Sequence, residues 1–312
     1  MAHPPHQRLR TALSGVSGIL VTPFDTEDRI APNRLAPVAD RAIAAGVSIL
    51  VANGNTGEFY ALTTAEAEAM VHASAELVAD RVPLLAGIGR GIHDALALTR
   101  ASRKAGAAGL MIHQPPDPFV APRGVVGYVS RIVEEAQDLP VMLYLRDDGI
   151  GLDAISDLCA IPNVVGVKWA CPTPMKLAEA IKDNDPNLVW SGGLAETWAP
   201  AFYAVGARGF TSGLINVWPE RSVAISRALE DGDYATARDL IDGISTFETM
   251  RSEERNGANV SVVKAALQVL GDDCGPPRLP AAWPLSDRTH QVLKDLLRAV
   301  PANRPQAALS DH

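Results

Sequence analysis

Short runs of consecutive apolar residues alternate along the chain with longer stretches whose apolar positions recur at helical spacing. The runs are GILVTPF (18–24), SILVANG (48–54), VPLLAGIG (82–89), GLMIHQ (109–114), PVMLYL (140–145), VVGVKWA (164–170), LVWSGG (188–193) and ARGFTSG (207–213). They recur at intervals of roughly 25–30 residues, the length of a βα unit. The stretches between them, such as 33–46, 63–80 and 93–106, are amphipathic. Thr63-Thr64-Ala65-Glu66 reads as an N-cap with an acidic first turn. Gly46, Gly106 and Gly206 stand where left-handed C-caps would end helices. Eight such strands predict a (β/α)8 TIM barrel rather than an open doubly wound sheet. After Pro219 only helical patterns follow. The predicted organisation is a barrel over 15–218, a C-terminal α-helical region over 219–300, and flexible tails at 1–14 and 301–312.

Composition narrows the function classes. Of 312 residues, 47% are hydrophobic and 21% charged, enough to bury a large core and to exclude global disorder. Aromatics are only 5%, which suits layers of small branched side chains better than an aromatic-rich sandwich. The net charge of −8 comes without any basic block, so neither nucleic acid nor an anionic membrane is expected as a partner. No apolar run approaches the ~20 residues of a membrane span. The opening MAHPPHQRLRTALSG has no apolar signal core, and the cytoplasm is the expected compartment. Cys159, Cys171 and Cys274 are too widely spaced for a disulfide frame or a zinc site. His72, His93, His113, His290 and His312 never pair at ligand spacing, and His3 and His6 fall in the N-terminal tail. Neither a metal nor a cofactor is expected.

In barrels of this kind active sites sit at the C-terminal ends of the strands. The polar residues there are Thr22, the loop Gly54-Asn55-Thr56-Gly57-Glu58, His113-Gln114, Tyr144, Lys168, Ser191 and Thr211-Ser212. Lys168 stands out, because the chain has only six lysines and this one lies inside an apolar strand. A barrel strand turns alternate residues inward, where burial lowers an amine's pKa. A neutral amine is the nucleophile that forms a Schiff base with a carbonyl. A structural pairing of Lys168 with a carboxylate is the competing reading. Lys264 also has apolar neighbours, but its helical context favours a solvated or snorkelling side chain. Tyr144 ends the preceding strand, where a phenol could pass protons to a carbinolamine; otherwise it packs with its hydroxyl satisfied. The loop at 54–57 offers two glycines for tight turns, backbone N–H groups and the Thr56 hydroxyl, a set able to hold a carboxylate.

Thr22-Pro23-Phe24, Gly54-Asn55-Thr56-Gly57-Glu58, Tyr144, Gly166-Val167-Lys168 and Ser212-Gly213-Leu214-Ile215-Asn216 together resemble the dihydrodipicolinate synthase/N-acetylneuraminate lyase superfamily. The motifs keep their order over about residues 15–300. The resemblance implies a barrel with a helical C-terminal extension, a homo-oligomer (tetramer or dimer), and class I lyase chemistry on a small 2-oxo acid without a cofactor. It places Lys168 as the Schiff-base lysine and Tyr144 as the proton relay. Gly54, Asn55, Thr56 and Gly57 match the carboxylate loop, and Ser191, Gly192, Thr211 and Ser212 the pocket lining. Dihydrodipicolinate synthases carry a tyrosine pair where this chain has Pro115-Pro116-Asp117-Pro118-Phe119, and an arginine where it has Gly149. These departures point away from lysine biosynthesis. Gly57-Glu58-Phe59-Tyr60, Tyr144-Leu145-Arg146-Asp147, Ser191-Gly192-Gly193-Leu194 and Val262-Val263-Lys264-Ala265 are similar to 5-dehydro-4-deoxyglucarate dehydratases. Asn55 and Trp169 depart from that subgroup, and a bulky Trp169 beside the nucleophile is expected to reshape the pocket.

The expected activity is dehydration of a 2-keto-3-deoxy sugar acid, with Arg146 a candidate partner for a distal carboxylate. The alternatives are a pyruvate-dependent aldolase or a dihydrodipicolinate synthase-like condensation through the same enamine. In a different class stands a catalytically silent metabolite-binding barrel.

Overall fold

A computed structural model describes residues 4–299. Eight parallel strands close in chain order into a barrel: β1 (Val16–Ile19), β2 (Ile49–Ala52), β3 (Leu84–Ile88), β4 (Gly109–His113), β5 (Val141–Leu145), β6 (Val164–Trp169), β7 (Val189–Gly192) and β8 (Phe210–Ser212). Each falls within or against one apolar run of the sequence. A strand sandwiched between barrel interior and helix layer is dry on both faces, so its pattern is continuous rather than alternating.

Helix α1 (Pro4–Leu13) precedes the barrel. The outer ring is α2 (Ala36–Ala45), α3 (Thr64–Val78), α4 (Ile92–Lys104), α5 (Pro122–Ala136), α6 (Leu152–Cys159), α7 (Pro174–Asp183), α8 (Ala195–Ala204) and α9 (Pro219–Glu230). A complete capping box at Thr63 and Glu66 opens α3. Gly46 takes φ 95° at the end of α2, where a left-handed residue lets the chain turn into β2. Then come α10 (Tyr234–Asp242), α11 (Ser245–Ser252), α12 (Asn259–Leu270) and α13 (Asp287–Ala299).

Two boundaries differ from the sequence reading. First, α9 packs on α2, α8 and β1, so it is the barrel's own eighth helix, and the barrel continues to Glu230 rather than ending at 218. Second, residues 4–13 are helix, not a flexible tail. The apolar side of α1 stoppers the N-terminal end of the barrel, with Leu9 and Leu13 buried in the interior cluster. They enter where Gly109 and Gly166 have no side chain: a Cβ there would meet Leu9 Cδ2 at 2.6 Å and Leu13 Cδ1 at 3.0 Å. His6 accordingly sits on a helix, with Nε2 3.3 Å from the Asp138 carbonyl. The expected tail at 301–312 lies outside the described residues.

Above that stopper the interior is filled by Ile49, Val51, Leu85, Met111, Met142 and Val165. This apolar plug leaves the opposite, C-terminal end open to the surface.

Candidate active site

Strand register places the two central groups side by side. Tyr144 on β5 pairs with Lys168 on β6, and Lys168 pairs with Ser191 on β7. All three belong to the inward-facing set. The Lys168 ammonium nitrogen lies 3.9 Å from the centre of the Tyr144 ring. The side chain is 3% exposed, and among the described residues no carboxylate pairs with it. Burial, and then the Arg146 charge, pull its pKa down to about 7. Part of it is therefore neutral amine near neutral pH. The pairing with a carboxylate that competed with this reading is found instead at Lys264.

Burial also holds the Tyr144 hydroxyl well above the usual phenol range, so it rests protonated. Asn55 Nδ2 donates to the Tyr144 oxygen at 2.8 Å, which leaves the phenolic proton free to be donated. Arg146 sits 5.6 Å from the Tyr144 ring and its charge opposes the rise. Gln114 positions that arginine: its Oε1 accepts from the backbone N–H of Arg146 at 2.7 Å and of Asp147 at 2.8 Å. His113 is neutral, its pKa pulled down to about 3 by burial and by Lys168 and Arg146. Nε2, 3.0 Å from the Asn53 carbonyl, must carry the proton, because a carbonyl only accepts. His113 thus supports the start of the β2 loop.

In that loop the glycines are required by close packing. A Cβ on Gly54 would stand 2.4 Å from Ile19 Cγ2, and one on Gly57 2.9 Å from the Leu20 carbonyl. The N–H groups of Gly57 and Glu58 are used within the turn, bonding Gly54 and Asn55 carbonyls at 3.0 Å each. Those of Asn55 and Thr56 have no partner among the described residues, so they, rather than the Gly57 N–H, are the backbone donors available for an anion. Glu58 adopts φ 56°, a conformation costly for a side chain with Cβ. Its carboxylate holds it there, meeting Lys264 Nζ at 2.6 Å and accepting from Arg278 N at 2.6 Å. Lys264 is therefore not solvated as expected. It is 2% exposed, with its ammonium turned onto the Glu58 carboxylate of the loop.

A cavity of about 760 Å³ opens over Lys168. Of the residues singled out from the sequence, Asn55, Thr56, Tyr144, Arg146, Lys168 and Thr211 line it. Gly54, Gly57, Ser191, Gly192 and Ser212 do not. Ser191 is fully buried below the cavity with its hydroxyl unpartnered. Gly192 packs on Phe202. Ser212 turns away to donate to the buried Glu196 carboxylate at 2.5 Å, as Ser222 also does. Trp169 does not shape the pocket either: strand alternation sends it into the helix layer, with its ring centre 6.2 Å from that of Trp190.

One wall of the cavity was not anticipated. Ser245, Glu248, Thr249 and Arg251 of α11 and Asn259 of α12 face it. A polar stripe on a helix reads in sequence as a solvated face, so no local signal marks these residues. Glu196, at the start of α8, was missed for a similar reason. Burial and the nearby Glu248 raise its pKa to about 7. Among the described residues, no three His, Cys, Asp or Glu side chains converge as metal ligands.

A partly neutral, buried amine beside a protonated phenol and free anion donors can add to a carbonyl, move protons at the adduct and anchor a neighbouring carboxylate. Comparison with known proteins shows the family to which the chain belongs. The model of the dihydrodipicolinate synthetase family matches residues 12–300. A probable 5-dehydro-4-deoxyglucarate dehydratase of Rhizobium rhizogenes is 30% identical over 92% of this chain and 94% of its own length. A protein of Streptomyces coelicolor with the same assigned activity is 33% identical, over 83% and 84%. The crystal structure of dihydrodipicolinate synthase from Bacillus clausii superposes with a TM-score of 0.89 at 35% identity, covering 93% of this chain and 98% of that one.

Proposed function

The chain belongs to the dihydrodipicolinate synthetase family and is a lyase, and from that premise we propose that it dehydrates a 2-keto-3-deoxy sugar acid of the 5-dehydro-4-deoxyglucarate type through a Schiff base on Lys168. The observation that carries the reading is the Lys168 amine, buried, with no carboxylate partner among the described residues and with its pKa near 7. The activity assigned to the relatives supports the substrate class.

The carboxylate next to the ketone rests on the N–H groups of Asn55 and Thr56 and on the Thr56 hydroxyl. The Lys168 amine adds to the ketone carbon. The Tyr144 phenol protonates the carbinolamine hydroxyl, which leaves as water and yields an iminium. The Tyr144 phenolate, stabilised by Arg146, takes a proton from the adjacent methylene. The resulting enamine expels the hydroxyl one carbon further on, which receives the Tyr144 proton and departs as water. Hydrolysis of the conjugated iminium returns the Lys168 amine and the phenol, so the net change is loss of one water from the substrate. The covalent imine is the electron sink, and the sequence of steps uses no cofactor.

The test is borohydride trapping with pyruvate and with 2-keto-3-deoxy acids, read by intact mass and peptide mapping. An adduct on Lys168 that is lost in Lys168→Ala is expected. Absence of any adduct, or trapping that survives Lys168→Ala, overturns the mechanism. Product analysis then separates water loss from the release of pyruvate that an aldolase would give.

A further inference from the structure

Arg251 lies outside the barrel, on α11, yet it is 6% exposed and borders the cavity. Two of its three nitrogens are committed. Nε donates to Asn259 Oδ1 at 2.9 Å and Nη1 to Glu248 Oε1 at 2.6 Å. Among the described residues Nη2 has no hydrogen-bond partner, and neither has the Thr56 hydroxyl. Both atoms stand over Gly213, the residue that follows β8: a Cβ there would meet Nη2 at 2.6 Å and Thr56 Oγ1 at 2.9 Å. Gly213 has φ −89°, which any residue adopts, so its backbone does not call for glycine. The space does, because a side chain would fill the niche that the two atoms share.

Two atoms this close to one point can be bridged by a single oxygen. A guanidinium nitrogen only donates, and a hydroxyl can donate as well. With the free N–H groups of Asn55 and Thr56, four uncommitted donors meet at one loop, and one of them is charged. A carboxylate, with about four acceptor positions on its two oxygens, can occupy all of them. The loop at 54–57 has no cation of its own, and the chain carries a net charge of −8, so Arg251 brings the loop a charge-assisted donor that it otherwise lacks. Glu248 also borders the cavity and offsets part of that charge, but its Oε1 is spent on Nη1. Glu248 and Asn259 fix the guanidinium fork, so the free N–H edge is in place before any ligand arrives.

Resting on the function proposed above, we infer that Arg251, oriented by Glu248 and Asn259, completes with Thr56 the site for the carboxylate beside the reacting ketone. The C-terminal helices thus supply the charge of an anion site whose backbone donors belong to the barrel. Arg251 seats the 2-oxo acid and takes no part in the chemistry at the amine, because burial and Arg146 set the Lys168 pKa.

Pyruvate and pyruvamide differ in the charge of that one group and little in size. Concentration dependence of borohydride trapping gives an apparent affinity for each, and its plateau gives the rate of imine formation. The intact enzyme is expected to prefer pyruvate. Arg251→Gln should cut that preference roughly tenfold or more, the weight of one hydrogen bond to a charged group, and Arg251→Lys should restore part of it. The plateau rate and its midpoint near pH 7 should stay as they are, since only the seating of the anion is weakened. Gly213→Ala keeps the Glu248 pairing but crowds Nη2 out of the niche, so it should lower the preference in the same direction even if Arg251→Gln folds poorly. A preference unchanged in both variants overturns the assignment. So does an equal loss of affinity for both probes, which a merely structural arginine would give, or a fall in plateau rate with the preference intact. If the intact enzyme traps neither probe, the Schiff-base reading itself fails, whereas an unchanged preference with trapping intact removes the Arg251 assignment alone.

Discussion

Replacing Lys264 by Met removes the counter-charge of Glu58 while keeping most of the side-chain volume. Both side chains are almost wholly enclosed, 1% and 3% exposed, and their charged atoms are 2.6 Å apart. At an effective dielectric of ~20 the gross attraction at that distance is about 6 kcal/mol. Stripping water from two ions costs several kcal/mol each, so the intact pair comes out near break-even. Burial accordingly raises the Glu58 pKa and lowers that of Lys264, in each case against the pull of the partner. Removing one member is a different matter, because the survivor keeps its desolvation cost. Lys264→Met is expected to lose about 3–5 kcal/mol. Glu58→Gln should lose less, since the amide still accepts from Arg278. The double variant should recover at least ~1.5 kcal/mol relative to the sum. Urea unfolding at pH 5 and pH 8 measures all three. In Lys264→Met the folded-state pKa of Glu58 rises further above its unfolded value. Its protonated form is then favoured by folding, and the deficit should shrink as pH falls. Because Glu58 holds the left-handed turn that presents Asn55 and Thr56, KM for the 2-oxo acid should also rise. Single-variant losses that add to within about 0.5 kcal/mol, or a Lys264→Met deficit that grows in acid, would refute this account.

Four further outcomes are expected. The rate of imine trapping should climb with pH through an apparent pKa near 7, the value set by the burial of Lys168; a limb near the ordinary lysine value in a pH–rate profile would contradict it. Tyr144→Phe should lower turnover by about 10²–10⁴, and steady-state assay beside thermal melting separates this from a folding defect. Glu196 binds a proton in the fold up to about pH 7, above its ordinary 4.5, so wild-type stability should decline by a few kcal/mol as pH rises through that window. Glu196→Gln should flatten the slope in denaturant titrations. Leu13→Ala, at the fully buried end of α1, should cost about 2–5 kcal/mol in the same assay.

The barrel was legible because its strands are dry on two sides, which writes eight continuous apolar runs into the chain. Lys168, Tyr144, Asn55 and Thr56 could be found because the barrel's own logic tells which strand ends to inspect. Strand parity, applied one step further, would have turned Trp169 away from the pocket, since it neighbours an inward lysine. Ser212 could not be judged alone, because its partners Glu196 and Ser222 arrive from other elements. Arg251 was hidden for a related reason. Whether a polar helix stripe faces water or a cavity depends on what stands opposite, and that is a property of tertiary packing. Helix α1 has too few apolar positions to announce itself; the sign of it lay elsewhere, in the glycines of β4 and β6 that make room for Leu9 and Leu13.

That stopper imposes an order on assembly. Helix α1 is made before any part of the barrel, but it docks on β1, β6 and β7, so its seat exists only once most of the chain has been synthesised. Contacts this distant in sequence close late. Until they do, Leu9 and Leu13 stay bare and the barrel interior is open from beneath. A segment made before the barrel thus locks after it, and its docking completes the dry interior beneath Lys168.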